Sequence, residues 1–203
     1  MSEAAKHIEF WFDFGSPYAF FASHRVPAIA ERFDRRLLWR PFVLGAAFKA
    51  TGMGSLSKTP MRGDYARRDW GRLSRRMGLK FALPPNHPVN AIAAARAFYA
   101  IEQSDPSQAE KFAQSVFSAY FGEGLDIGSP DVVAQLAGRL GANTDEIVTA
   151  IQSPAIKQLL RDKTDEALSR GVFGSPFTFV DGEPFWGNDR LDDVEDWLKT
   201  GGW

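Results

Sequence analysis

The sequence predicts an α/β protein in which a small mixed β-sheet is flanked by helices and interrupted by a large all-helical insertion. Near the amino terminus, a short apolar strand, a helix and a second strand follow one another, which favours a parallel βαβ unit. Strand patterns are then absent from about residue 45 to residue 153, and they return only as a hairpin near the carboxyl terminus. These observations predict a sheet domain over residues 1–44 and 156–203, with an inserted helical subdomain over residues 45–155.

The composition excludes several classes of protein. The chain has 203 residues, of which 44% are hydrophobic and 13% aromatic, enough to bury a substantial core in one domain with an insertion. Its net charge of −1 argues against a nucleic-acid partner, because such proteins usually have a strong basic excess. The absence of cysteine excludes disulfides, thiol redox chemistry and cysteine-ligated metals within this chain.

Targeting and metal-binding signals are also missing. The segment Met1–Lys6 has no signal-peptide apolar stretch, and no apolar run approaches the length of a membrane span. We therefore expect a cytoplasmic protein with no membrane partner. His7, His24 and His87 are scattered without metal-ligand spacing, so we expect no metal site.

The first strand, the first helix and the second strand are predicted from the amino-terminal pattern. His7–Asp13 is short, apolar and aromatic, which is typical of a buried strand. Ser16 suits an N-cap and Pro17 suits the first helical position, so a helix is predicted to run to about Phe33. The second strand is predicted at Leu37–Phe42.

The insertion is predicted to consist of helices. They are expected at residues 65–77, 88–99, 109–121 and about 130–141, and a further helix is capped by Asn143 together with Glu146. The arginines in and near the first of these helices are predicted to form a solvated face; they are Arg62, Arg67, Arg68, Arg72, Arg75 and Arg76.

The carboxyl-terminal part returns to strand character. Pro176–Val180 and Glu183–Trp186 are predicted to form a hairpin around the turn Asp181–Gly182. A final helix is predicted from about Asp189 to Lys199.

Ser16 is the first candidate site residue. Its hydroxyl is expected at the carboxyl edge of a strand and at the amino terminus of a helix, which is a favourable place to hold an anion. The alternative is that Ser16 only caps its helix.

A second candidate site is the segment Gly171–Phe177, in which Pro176 begins a strand. A cis bond before Pro176 would turn the amide and carbonyl of Ser175 toward a ligand. The alternative is an ordinary trans proline at the entrance of the strand.

The third candidate site is Asn188–Asp189. Either residue could simply cap the final helix. As a ligand site, backbone amides could bind the carboxylate of a free amino-acid group while the Asp189 carboxylate binds its ammonium.

Together these motifs resemble the thioredoxin-like proteins with a DsbA-type helical insertion, and among them the 2-hydroxychromene-2-carboxylate isomerases and the kappa-class glutathione transferases. The motifs are Asp13–Tyr18, where redox relatives have Cys-x-x-Cys, Gly171–Pro176, and Gly187–Arg190. They occur in the right order around an insertion of the right size, and the resemblance covers essentially the whole chain. Weaker support comes from residues 40–52 and 60–65.

The resemblance implies a homodimeric, glutathione-dependent isomerase of an aromatic-degradation intermediate. Its small-molecule aromatic substrate would be of the 2-hydroxychromene-2-carboxylate type, converted to trans-o-hydroxybenzylidenepyruvate. Ser16 would be the catalytic residue and would donate a hydrogen bond to the glutathione sulfur. The other implied cofactor contacts are Arg62, Phe173, Ser175, Pro176, Asn188 and Asp189.

Within this resemblance, the Ser175 main chain would pair with the cysteinyl backbone of glutathione, while Asn188 and Asp189 would hold its γ-glutamyl end. Two residues depart from the pattern: Met53 replaces a frequent Asn, and Arg62 replaces a frequent Lys. Two alternatives therefore stay open, a kappa-like glutathione transferase or peroxidase and a catalytically inactive glutathione-binding protein. A DsbA-type thiol oxidoreductase is excluded by the absence of cysteine.

Overall fold

A mixed β-sheet forms the centre of the fold. The computed structural model describes residues 7–203, so the expectation about Met1–Lys6 lies outside it. Within that range, four strands form one sheet in the order β2-β1-β3-β4, with β1 parallel to β2 and antiparallel to β3. The strands are β1 His7–Phe12, β2 Arg36–Pro41, β3 Phe177–Val180 and β4 Glu183–Trp186. The predicted fold class is confirmed.

Helices flank this sheet, and they are the regular secondary structure of the described segment between β2 and β3. They are α1 Pro17–Ser23, α2 Val26–Arg32, α3 Leu44–Thr51, α4 Arg62–Met77, α5 Ile92–Glu102, α6 Pro106–Ser118, α7 Pro130–Gly138, α8 Thr144–Gln152, α9 Pro154–Ser169 and α10 Leu191–Thr200. Every helix in residues 7–203 is too short or too polar to span a bilayer. The division of the chain at residues 44/45 and 155/156 remains a prediction, and its second boundary falls in the first turn of α9.

One aromatic core joins the sheet to the insertion. Phe12 on β1 is fully buried, and its ring lies 5.6 Å from that of Trp39 on β2. From the insertion, the rings of Phe98 on α5 and Phe117 on α6 lie 6.4 and 5.4 Å from it. The opposite face of β1 buries Trp11 in a smaller cluster beneath α9. The central strand is therefore covered on both faces.

The long helix predicted from Pro17 to about Phe33 is wrong. The structure has two helices, and His24 and Arg25 separate them. Pro27 explains the break, because proline has no N–H to donate and its ring clashes with the carbonyl four residues earlier. The helix that follows Ser16 is therefore only seven residues long.

Other helix boundaries differ less. The helix predicted at residues 88–99 begins later, at Ile92, whereas the one predicted from residue 109 begins at Pro106 because Asp105 caps it by accepting a bond from the Gln108 N–H. Asn143 caps α8 as predicted, and the six arginines in α4 are all exposed.

The aromatic core predicts a large effect for Phe12→Ala. Removing this fully buried ring should lower the free energy of unfolding by about 3–5 kcal/mol, because it opens a cavity between the sheet and the insertion. Trp203→Ala is the matched control, because Trp203 is 72% exposed and its loss should change stability by only about 0.5 kcal/mol. Denaturant unfolding of both variants measures the difference, and equal losses would contradict a core shared by the two parts.

Candidate active site

A cavity of about 970 Å³ lies where the three candidate motifs meet. It is bounded by the loops after β1 and β2, the segment before β3, the segment after β4 and the first half of α4. All the candidate residues line it: Ser16, Arg62, Phe173, Ser175, Pro176, Asn188 and Asp189. The fold thus brings together residues that are up to 173 positions apart in the chain.

Ser16 caps α1 and also contacts the second motif. Its Oγ accepts a hydrogen bond from the Ala19 N–H at 3.2 Å, as the capping interpretation predicts. The same hydroxyl donates to the carbonyl oxygen of Ser175 at 2.8 Å. Ser16 is buried but lines the cavity, so its hydroxyl proton is held against a main-chain oxygen at the surface of the site.

The Ser175–Pro176 peptide bond is cis, as predicted. Ser175 lies next to Ser16, and the Pro176 carbonyl accepts a hydrogen bond from the Gly187 N–H at 3.1 Å. Gly174 is required here, because a Cβ would lie 2.1 Å from Nε1 of Trp186. The second and third motifs therefore form one continuous surface.

The alternative interpretation, that Asn188 or Asp189 simply caps the last helix, does not hold in the structure. The chain enters α10 through a short 3-10 turn at Asn188–Arg190, and neither side chain accepts a capping hydrogen bond. Asn188 is buried and its Oδ1 has no partner in the described chain. Asp189 is exposed, and its Oδ2 lies 3.7 Å from Nη2 of Arg190. The Asp189 carboxylate is therefore accessible to a ligand, whereas the Asn188 Oδ1 is an unpaired acceptor with almost no exposed surface.

Arg62 begins α4 at the mouth of the cavity. The preceding residue, Met61, has a φ of 60°, and the Arg62 N–H donates to the Pro60 carbonyl across this tight turn. Within residues 7–203, the Arg62 guanidinium forms none of the observed ion pairs or side-chain hydrogen bonds. A cation in this position can bind an anionic group entering the cavity.

Asp13 joins the loops that build the site. Its carboxylate accepts hydrogen bonds from the N–H groups of Gly15, at 2.8 Å, and Leu44, at 3.0 Å. Its own N–H donates to Oγ of Ser175 at 2.9 Å, and its carbonyl accepts from the Ser16 N–H. Burial raises the pKa of Asp13, although the bonds from Leu44 and Gly15 oppose that shift.

The cavity also contains residues to which the sequence analysis gave no role. The Tyr18 hydroxyl donates to Asp69 at 2.9 Å, and burial, followed by this bond, raises the pKa of Tyr18. Trp70 and His87 line the same region, with ring centroids 6.3 Å apart. The sequence contains no signal for His87 beyond its being one of three scattered histidines.

The polar groups of this cavity suit hydrogen bonding and ion pairing rather than metal binding. Among residues 7–203, no group of three or more His, Asp or Glu side chains could hold a metal ion. Instead the site offers a hydroxyl, main-chain amides and carbonyls, a carboxylate and a guanidinium around an apolar space. Such groups suit a flexible zwitterionic ligand beside an apolar one.

Comparisons with known proteins agree with this architecture. The family model for the DSBA-like thioredoxin domain matches residues 7–199. A 2-hydroxychromene-2-carboxylate isomerase from Sphingobium xenophagum is 30% identical over 200 residues, 95% of this chain and 98% of the relative. Glutathione S-transferase kappa 2 from Caenorhabditis elegans is 26% identical, over 95% of this chain and 92% of its own length. A solved 2-hydroxychromene-2-carboxylate isomerase has a TM-score of 0.87 and 27% identity, over 95% of this chain and 94% of its own.

The raised pKa of Asp13 predicts how stability depends on pH. Because the native state holds this proton more tightly than the unfolded chain, lowering the pH through the native pKa should stabilise the wild type relative to Asp13→Asn. The gain should be complete near pH 3.8, the ordinary pKa of an aspartate, and lost again as pH rises. Denaturant unfolding of both proteins across this range measures the difference.

Asp126→Asn is the matched control, since Asp126 accepts the Gly128 N–H at 3.0 Å in the same Asp-x-Gly arrangement as Asp13 and Gly15. Asp126→Asn shows how much the free energy of unfolding changes when a carboxylate in such a turn is replaced. The additional change in Asp13→Asn then reports the effect of burying Asp13. A difference between wild type and Asp13→Asn that did not change with pH would contradict the prediction.

Proposed function

The chain belongs to the DSBA-like thioredoxin domain family, alongside the 2-hydroxychromene-2-carboxylate isomerases and the kappa-class glutathione transferases, and we propose that it is a glutathione-dependent isomerase. The names of its relatives support an enzymatic function of the isomerase or glutathione transferase type. We propose a substrate like that of the isomerases, 2-hydroxychromene-2-carboxylate or a related aromatic keto acid, and trans-o-hydroxybenzylidenepyruvate as the type of product.

One observation supports this proposal above the others: Ser16, Ser175 and Asn188–Asp189 line a single cavity although they come from three distant segments. At about 970 Å³, the cavity is at the upper end of the range for one small ligand, which leaves room for a cofactor and a substrate together.

The residues present fit glutathione. The buried Oδ1 of Asn188 lacks a donor, and the Asp189 carboxylate is close by, so the pair suits the γ-glutamyl ammonium. The Ser175 carbonyl can accept a peptide N–H, and Phe173 and Pro176 line the adjoining surface. Arg62 has the charge needed for a terminal carboxylate. Homodimeric assembly and a cytoplasmic location remain parts of this proposal.

Ser16 acts by donating its hydroxyl hydrogen bond to sulfur. A free thiol has a pKa of roughly 8.5, so only a few per cent is thiolate at neutral pH. To donate to sulfur, the Ser16 hydroxyl must turn away from the Ser175 carbonyl, which can then accept the cysteinyl N–H instead. Because α1 has only seven residues, the hydroxyl rather than the helix dipole provides most of the stabilisation.

Bound glutathione would supply a thiolate that adds reversibly to a carbon–carbon double bond, so that rotation and release give the other geometric isomer. The protein orients the substrate for this step with the apolar walls of the cavity, among them Phe42, Leu56 and Trp70. Met53 lies at the mouth and is 43% exposed, so this departure changes the rim of the cavity rather than its interior.

A kappa-like transferase or peroxidase is the second candidate. The specific observation in its favour is that the kappa relative matches 95% of this chain, at 26% identity, the same share as the isomerase from Sphingobium xenophagum. An assay that follows glutathione consumption separates the two, because an isomerase returns glutathione unchanged. Saturable binding of glutathione without turnover on any such substrate would support the third alternative, an inactive binding protein.

Ser16→Ala tests the proposal directly. Because a hydrogen bond to a charged acceptor contributes about 1.5–3 kcal/mol, the pKa of the bound thiol should rise by about one unit or more. Turnover should fall roughly tenfold to a hundredfold. Ultraviolet thiolate absorbance against pH, with glutathione bound, measures the first effect.

Ser153→Ala is the matched control for capping. Ser153 precedes Pro154 and accepts the Ile156 N–H at 3.2 Å, the same distance as in the Ser16 cap. Both variants should lose about 1 kcal/mol of stability, but only Ser16→Ala should change the thiol titration. If wild type and Ser16→Ala gave the same thiol titration, Ser16 would act only as the N-cap of α1.

Asp189→Asn tests recognition of the ammonium group. Because Asp189 does not cap α10, the variant should keep its stability while binding glutathione roughly threefold to tenfold more weakly. Asp193→Asn is the control, since Asp193 pairs with the same Arg190 but does not line the cavity. Titration calorimetry with glutathione measures both, and unchanged affinity in Asp189→Asn would contradict the assignment.

A further inference from the structure

We propose that His87 is a second catalytic residue, whose Nε2–H donates a hydrogen bond to the substrate carbonyl oxygen on which negative charge develops. This inference rests on the proposed function and adds to it the group that acts opposite the sulfur. The three observations behind it are the place of His87 in the cavity, the partner of its other nitrogen, and its surroundings.

The segment around His87 lies against the Ser16 loop. A Cβ on Gly15 would lie 3.4 Å from the Val89 carbonyl oxygen, so residues 87–89 pass directly beside this loop. The rings of Tyr18, Trp70 and His87 follow one another at centroid distances of 5.9 and 6.3 Å. His87 therefore lines the same cavity as Ser16, in a segment that packs beside the Ser16 loop.

The partner of Nδ1 determines which nitrogen has the proton. Nδ1 lies 3.1 Å from the hydroxyl oxygen of buried Tyr120. Among residues 7–203, Nδ1 is the one acceptor within hydrogen-bonding distance of that hydroxyl, so we assign the hydroxyl proton to this bond. A Tyr120 hydroxyl that donates to Nδ1 requires the tautomer with hydrogen on Nε2.

Nε2 is the nitrogen that a ligand can reach. It has no partner among residues 7–203, yet it is not one of the buried polar atoms left unsatisfied there, so it is accessible. Burial, and then the positive charges of Arg67 and Lys58, lower the pKa of His87 to about 4. The imidazole is therefore neutral at pH 7, held in one orientation between Trp70, Tyr120 and Phe121.

A neutral donor suits the chemistry of a conjugated carbonyl. When a nucleophile adds to the double bond, a carbon–nucleophile bond forms and the π electron pair moves to the carbonyl oxygen. Expulsion of the nucleophile returns the pair, so no net proton is gained or lost. A neutral N–H stabilises the transient negative charge without giving up its proton, and a donor placed in advance accelerates such a step.

The test compares His87→Ala and His87→Gln with the wild type, using glutathione and trans-o-hydroxybenzylidenepyruvate. His87→Ala should lower kcat about a hundredfold. The KM for glutathione should stay within twofold of the wild-type value, and the bound thiol should titrate as it does in the wild type. His87→Gln, which keeps an N–H donor, should recover at least tenfold. His24→Ala is the control, because His24 lines a separate groove and is exposed.

A measurement on the free protein tests the same inference without activity. The ¹⁵N spectrum of wild-type His87 should show hydrogen on Nε2, and Tyr120→Phe should lose that preference. An Nδ1–H tautomer, or a His87→Ala kcat within threefold of wild type, would overturn the inference. A wild type that neither binds glutathione nor isomerises the substrate overturns the proposed function as well; one that does both while His87→Ala keeps its kcat overturns this inference alone.

Discussion

The arrangement of the site depends on the hydrogen bonds of Asp13. This residue directly follows β1, and its carboxylate and main chain contact the Ser16 loop, the loop that begins α3, and Ser175 before β3. Each of these segments lies at the same end of the sheet, and Asp13 makes a hydrogen bond to every one of them. The order of the strands brings these segments near one another. The hydrogen bonds of Asp13 then fix the distances between them.

The shared core explains why the insertion belongs to the site rather than being attached to it. Rings from α5 and α6 pack on the strand that Asp13 follows, and α4 and the segment at residues 87–90 supply one wall of the cavity. The thioredoxin-like part supplies most of the groups proposed to hold glutathione, and the insertion adds Arg62. The insertion also supplies walls of the space proposed for the second ligand. A change of substrate can therefore arise in the helical part while the contacts from Ser16, Ser175 and Asp189 are kept.

Much of the fold followed from the sequence because strand periodicity, Ser-Pro caps and the Asp-Gly turn are local signals. Ser16 and the cis Ser175–Pro176 bond were also within reach, since each lies at a recognisable element boundary. Pro27 was also a local signal, but the prediction of one helix from Pro17 to about Phe33 did not take it into account. His87 could not be found in this way, because its importance comes from Tyr120, 33 residues further along the chain. Asn188 likewise gained an unpaired oxygen only through burial by distant segments.

The bond from the Ser16 hydroxyl to the Ser175 carbonyl has a consequence for selectivity among thiols. In the free protein this hydroxyl is already satisfied, so donating to sulfur would leave a main-chain oxygen unpaired unless the incoming molecule also provides a peptide N–H. Glutathione has both groups, a thiol and peptide N–H groups. A simple alkyl thiol provides only sulfur and would leave the carbonyl short of a donor. The protein would then favour thiols that both accept the Ser16 hydrogen bond and supply an N–H to the Ser175 carbonyl, rather than thiols of a particular size.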